Sequence, residues 1–200
     1  MSADYFLNKC FDSTTINEPW PHQIINNTLP QEEFVKLRQE CEKLDVPNDR
    51  LVAIYPKDFN DYNISFYDQI HDISKSILDN ARQLCDKYTN HRWFEDLAVN
   101  AHISVTPPLP YKFYIHQEGL EKIWSSVTYV TPENNVGTKM YTEQKEDTFV
   151  KEAEWKPNST FIFCGQQGKT WHSYESDQTK QRITLNLFLM KDSKHCFYRG

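Results

Sequence analysis

Two residues in the stretch YKFYIHQEGLEKIWSSVTYV, His116 and Glu118, lie two positions apart in a run built from aromatic and β-branched side chains. Residues at i and i+2 of an extended strand share a face, so an imidazole and a carboxylate are presented side by side. Such a pair can ligate a metal, or it can lie on a solvated sheet edge. Further on, the segment GKTWHSY offers a second imidazole, His172, and Arg182 opens the run RITLNLFLM ten residues later. Imidazole nitrogens and carboxylates are ordinary ligands of divalent transition metals, and the planar arginine fork matches a carboxylate through two hydrogen bonds.

These residues need a frame to hold them. Helical signals are confined to the first half of the chain. One helix is predicted to open at Thr28-Leu29-Pro30-Gln31, with Gln31 placed to close a capping box and Glu32 and Glu33 at the positive end of the dipole. Its apolar stripe runs through Phe34, Leu37, Cys41 and Leu44, and Pro47 and Asn48 end it. A second helix is predicted from Ser65, with the stripe Phe66, Ile70, Ile73, Ile77, Ala81, Leu84 and Tyr88. From Trp93 onward the pattern turns to short strands, predicted over 97–108, 111–118, 124–131, 138–143, 147–155, 159–165, 169–174 and 182–190, with a further candidate over 21–29. Helices followed by a run of strands imply an α+β protein, and about eight short strands without long crossovers most readily form a jelly roll. Along 182–190, Ile183, Leu185, Leu187 and Leu189 share one face, suited to packing on the helices. Arg182, Thr184, Asn186 and Phe188 share the other and would point into the barrel, where a buried arginine asks for an anion.

Composition narrows the classes of function. The 200 residues carry a net charge of -6 and 14% aromatics, and the mean hydropathy is -0.73. This is the balance of one soluble domain spanning residues 1–200, and the acidic charge disfavours nucleic acid as a partner. No apolar run approaches the ~20 residues of a membrane span. The opening MSADYFLNKCFD has no basic region followed by an apolar stretch, which places the chain in the cytoplasm. The five cysteines are odd in number, spread out and free of any CxxC pair, as reduced thiols would be. Without a secretory signal the sequons at Asn26, Asn63 and Asn158 carry no weight.

Two imidazoles and one carboxylate on one side of a metal make the facial triad of non-haem Fe(II) oxygenases. With one carboxylate ligand the ferrous site keeps a charge near +1, so a dicarboxylic keto acid needs a second cation for its far end, and Arg182 can supply it. The pattern IHQE, then KIWSSVTYVTPENNVGT, WHSY and QRITLNLF resembles the 2-oxoglutarate- and Fe(II)-dependent oxygenases. It looks most like short, phage-type members with prolyl-hydroxylase-like motifs, among them a K-x-x-S-x-x-x-Y strand and an N-x-G-T turn. The resemblance covers roughly residues 100–190 by motif and extends loosely to the PHQIINNTLPQEEFVKL opening. It implies a double-stranded β-helix (cupin-like jelly roll) with N-terminal helices packed on one sheet. It implies that His116, Glu118 and His172 bind Fe(II), that Arg182 grips the far carboxylate of the 2-oxoglutarate cosubstrate, and that O₂ is activated there, in the host cytoplasm if the chain is phage-encoded. Thr184 and Tyr129 match residues that assist the arginine in such enzymes. Glu118 departs from the more frequent aspartate, and its extra methylene moves the carboxylate outward.

The remaining histidines, His22, His71, His91, His102 and His195, have no such context, and His102 reads as a satisfied core residue. Tyr114 shares the expected face of His116 and would line the site, while Lys122 would reach a substrate or be solvated. Trp124 and Trp171 read as core aromatics. A hydroxylase acting on a small molecule or a protein side chain is the reading that absorbs Arg182. The alternative is a non-catalytic jelly-roll module for a sugar or peptide, its metal site empty or structural. Nothing in the sequence speaks to the substrate or the oligomeric state.

Overall fold

The structure is a computed structural model that describes residues 2–88, 91–176, 179–194 and 196–199. His195 lies outside the described residues. Helix α1 (Ser2–Asp12) buries Ala3, Phe6, Leu7 and Cys10. That i, i+3, i+4, i+7 stripe is visible in the sequence, and its helix is an addition to the two expected. Strand β1 (His22–Asn26) leads into α2 (Gln31–Cys41), which starts after Pro30 without a side-chain cap and buries Phe34, Leu37 and Cys41. The expected capping box at Gln31 is absent, and Leu44 falls beyond the helix. A short strand β2 (Val52–Ile54) follows.

Helix α3 (Tyr67–Asp79) places Ile70, Ile73 and Ile77 in the core. The continuous helix expected through Tyr88 is broken at Asn80, and α4 (Ala81–Cys85) resumes the chain. The Asn80 side-chain amide donates to the Ser76 carbonyl at 2.9 Å, and its backbone leaves the helical region with φ -111 and ψ 16. Asparagine side chains compete with helical backbone in this way, so the greasy stripe continues across a helix end.

The strands are β3 (Leu97–Thr106), β4 (Lys112–His116), β5 (Lys122–Thr131), β6 (Thr138–Tyr141), β7 (Phe149–Ala153), β8 (Ser159–Cys164), β9 (Trp171–Glu175), β10 (Arg182–Lys191) and β11 (Tyr198–Arg199). All eight strands expected after Trp93 are present, with β2 and β11 as additions. They form two antiparallel sheets. The larger has the order β1-β8-β5-β10-β3-β11 with β2 beside β3, and the smaller has the order β4-β9-β6-β7. One face of the larger sheet packs on the helices, bringing Ile103, Ile183, Leu185, Leu187 and Leu189 against Ile70, Ile73 and Ile77. The other face meets the smaller sheet over a second cluster of Trp20, Tyr129, Met140, Ala153, Trp155, Phe161 and Phe163. This is the α+β arrangement expected, with the helices on one sheet and two sheets of jelly-roll type enclosing a pocket.

The turn between β5 and β6 holds the two sheets at a fixed spacing. The Tyr129 hydroxyl, on β5, donates to Thr138 Oγ1 at 2.9 Å and accepts the Thr138 backbone N–H at 3.0 Å. Gly137, one residue earlier, lies so close to β7 that a Cβ there would stand 1.8 Å from the Ala153 carbonyl oxygen. Gly137→Ala must push this turn off β7. Overpacking typically costs about 1–3 kcal/mol and occasionally more, so urea unfolding should show a loss at the upper end of that range. A midpoint unchanged from the parent would mean that the turn is free to move.

Candidate active site

A cavity of about 190 Å³ opens between the sheets, walled by the inward face of β10 (Arg182, Thr184, Asn186 and Phe188) and, across from it, by Phe113, His116, Glu118, His172 and Tyr174. The face division expected for β10 therefore places a polar row on the cavity and an aliphatic row on the helices. Thr184 is fully buried next to Arg182 on this wall.

His116 and His172 are directly opposed in the β4–β9 pairing, with ring centroids 4.2 Å apart. His172 Nδ1 lies 2.9 Å from the Thr170 carbonyl and His116 Nδ1 lies 3.0 Å from the Tyr114 carbonyl. A carbonyl only accepts, so each Nδ1 carries the proton and each Nε2 keeps its lone pair. Burial, and then the neighbouring His116, push His172 down to about 4, and burial lowers His116 as well. Both rings are thus neutral at physiological pH, the state that a metal ligand requires.

Glu118 is placed differently from the expectation. β4 ends at His116, and a register shift between Phe113 and His116 inserts an extra residue opposite β9. Such a bulge breaks the strict alternation of faces. Phe113 now shares the cavity with His116, their rings 4.7 Å apart, while Tyr114 is 66% exposed and does not line the site. Glu118 reaches the cavity from the loop beyond the strand rather than from the strand face. It is only 7% exposed, and its carboxylate accepts from Lys122 Nζ at 3.0 Å and Ser125 Oγ at 2.9 Å. Burial alone would raise its pKa, but Lys122, His172 and these hydrogen bonds together hold it below the ordinary carboxylate value. Among the described residues no three His, Cys, Asp or Glu side chains converge closely enough to hold a metal. By donor type the set fits a divalent metal: two neutral imidazoles with free Nε2 and one ionised carboxylate at the same cavity. To complete it, Glu118 must turn away from Lys122 and Ser125.

Arg182 is the other pole. It is 2% exposed, and its Nε donates to the Val136 carbonyl at 3.2 Å. Its guanidinium lies 4.5 Å from the ring of Tyr174, 5.0 Å from Trp155 and 5.6 Å from Tyr129, a cage of aromatic faces that favours a cation. No carboxylate pairs with it among the described residues, and its Nη2 is buried with no hydrogen-bond partner. Buried charges are ordinarily paired. Tyr129, expected to share a carboxylate with Arg182, lies under the guanidinium with its ring and donates its hydroxyl to Thr138. Tyr174, not singled out from the sequence, takes the place facing Arg182. Its position two residues after His172 in WHSY, on the same strand face, was the available signal.

The sequence marks Asn186 as a polar residue on the inward face and His102 as core. Asn186 Nδ2 approaches His102 Nε2 at 3.1 Å, and Asn186 Oδ1 is buried without a partner. Burial first, and Lys122 second, depress His102 to about 4 against an ordinary 6.5. The folded chain keeps this ring neutral while the unfolded chain protonates it, so its contribution is complete above pH 6.5 and lost as the pH falls toward 4. At pH 5 the loss amounts to about 2 kcal/mol. His102→Gln should flatten the fall in urea-unfolding stability between pH 7 and 5 by that amount; an unchanged slope would show that His102 does not titrate in this window.

No family model matches the chain, and no curated protein does. Solved structures do. A prolyl hydroxylase from Trichoplax adhaerens, in complex with a hypoxia inducible factor oxygen degradation domain peptide fragment, superposes with a TM-score of 0.59 at 12% identity, covering 96% of this chain and 90% of that one. A viral collagen prolyl hydroxylase from Paramecium Bursaria Chlorella virus-1, in its 2OG complex, gives 0.55 at 12% identity, over 89% of this chain and 99% of that one. A Pseudomonas putida prolyl-4-hydroxylase gives 0.50 at 15%, over 96% and 100%. The fold is that of the prolyl hydroxylases. At these identities the likeness is one of fold, and the chemistry rests on the residues in the cavity. No helix among the described residues is long and apolar enough to cross a membrane.

Proposed function

We propose that this chain is a 2-oxoglutarate- and Fe(II)-dependent dioxygenase, a hydroxylase built on a double-stranded β-helix. The observation that carries the reading is Arg182, a buried and unpaired guanidinium in the same cavity as two neutral, opposed imidazoles. A site with a cation at one end and free imidazole lone pairs at the other suits a dicarboxylic keto acid that bridges a metal and an arginine. His116, His172 and Glu118 would hold Fe(II), which when bound supplies activation of O₂, with 2-oxoglutarate leaving as succinate and CO₂ while a C–H bond is oxidised. Arg182, whose Nη2 has no partner among the described residues, would hold the far carboxylate of the keto acid, Thr184 lies beside it, and Tyr129 braces the turn whose Val136 carbonyl orients the guanidinium. Phe113, Phe161, Phe163 and Phe188 give the cavity an apolar lining beside its polar groups.

The structural neighbours named prolyl hydroxylases support hydroxylation as the reaction type. The substrate is a small molecule or a protein side chain. The test is Fe(II)-dependent formation of succinate from 2-oxoglutarate by the purified chain. Turnover that requires added Fe(II) and disappears in His116→Ala is the expected result. Absence of turnover together with absence of any 2-oxoglutarate binding would overturn the proposal.

A further inference from the structure

Lys122 enters the cavity from the first residue of β5 and is held there from two sides. Its ammonium donates to Glu118 Oε2 at 3.0 Å and sits 3.9 Å from the centroid of the Phe188 ring. Ser125, three residues along the same strand, holds the other Glu118 oxygen at 2.9 Å. The carboxylate is almost wholly buried and both of its oxygens are engaged, so it lies in a formed slot. We propose that Lys122 is a resident counter-cation of Glu118, which a divalent metal must displace, and that it thereby sets the metal affinity of the site. The inference rests on the reading of His116, Glu118 and His172 as metal ligands.

Two features favour it over an incidental ion pair. The longer arm of glutamate lets the carboxylate reach Lys122 and Ser125 from the loop after β4, where the strand has already ended. The charge also closes: with Lys122 in place Glu118 is compensated, and a metal that takes the carboxylate leaves two cations competing for one buried anion. The ammonium must then leave its slot before all three ligands converge. Metal binding by this chain is consequently a cation exchange, weaker than its ligand set alone would give.

The experiment is calorimetric titration of Mn(II) into the full chain and its Lys122→Met variant, with thermal unfolding as the check on folding. Met keeps the stem against Phe188 and removes the charge. The variant should bind Mn(II) at least about 10-fold more tightly than the parent, and the gain should vanish when His172→Ala is added. Binding by the variant alone, with none by the parent, supports the proposal equally. Equal or weaker binding by a folded Lys122→Met, in a chain whose parent does bind Mn(II), overturns the proposal and leaves the ligand assignment standing. No binding by either form overturns the ligand assignment, and this inference with it. A gain that persists in the His172→Ala background places the metal elsewhere and also overturns it. Should Lys122→Met fail to fold, Lys122→Gln and Ser125→Ala loosen the same hold on Glu118, and each should tighten Mn(II) binding several-fold; unchanged affinity in both overturns the proposal.

Discussion

Arg182→Met is expected to weaken 2-oxoglutarate binding severely without unfolding the protein. The guanidinium is buried, meets no carboxylate among the described residues and has Nη2 free, so the Val136 hydrogen bond and the aromatic cage offset the cost of its desolvation only in part. Removing one partner of a buried hydrogen-bonded charge pair typically costs 2–5 kcal/mol or more of binding. The affinity should therefore fall roughly 30-fold to several-thousand-fold. The free protein responds the other way. Replacing an uncompensated buried ion by an apolar side chain of similar reach is often neutral or stabilising, against which stand the lost hydrogen bond to Val136 and the aromatic cage. The free-state Tm should hold or rise. In the parent, metal with 2-oxoglutarate at about 100 times its Kd should add about 2.7 kcal/mol, or roughly 5–10 °C for a chain of this size. In the variant that contribution should fall to about 0.9 kcal/mol or less. A variant that retains the shift would show that the keto acid is anchored elsewhere.

His172→Ala carries the second large effect. The imidazole is buried, kept neutral, and opposed to His116 across the β4–β9 pair. Changes in groups that merely support metal ligands cost about 10–100-fold in affinity, so loss of a ligand should cost at least about 100-fold, read by Mn(II) titration. The same substitution has an opposite signature in acid. The parent pays to keep His172 neutral as the pH falls from 6.5 toward its depressed value of about 4, and the variant does not. The stability gap between parent and variant, measured without metal, should therefore narrow from pH 7 to pH 5. Retention of parental Mn(II) affinity would remove His172 from the ligand set.

Several of these features are legible in the sequence alone. The alternation along 182–190 separated an aliphatic row from a row headed by Arg182, and the structure puts the first on the helices and the second on the cavity. Binary pattern suffices there because β10 is central and pairs with β3 in unbroken register, the two shifts against β5 falling on the β5 side. The K-x-x-S-x-x-x-Y and N-x-G-T segments were visible as motifs, but their work was not. Lys122 and Ser125 hold Glu118, Tyr129 holds Thr138, and Gly137 lets the turn approach β7. Those roles depend on which strands lie side by side, and periodicity within one segment carries no such information. The bulge in β4 was hidden for the same reason: an extra residue is defined only against its partner strand, here β9. It is why Tyr114 turned outward and Glu118 left the strand. Asn80 ends α3 by a local side-chain bond that a count of apolar positions does not register.

The most direct measurement is an anaerobic titration of Fe(II) into the metal-free chain with 2-oxoglutarate, followed by visible absorbance. A keto acid bound through two oxygens to ferrous iron gives a metal-to-ligand charge-transfer band. The expected result is a saturable band at one iron per chain that is lost in His172→Ala and shifted to much higher 2-oxoglutarate concentration in Arg182→Met. A folded chain that gives no band at any concentration of iron and keto acid would contradict the assignment of this cavity as an oxygenase site.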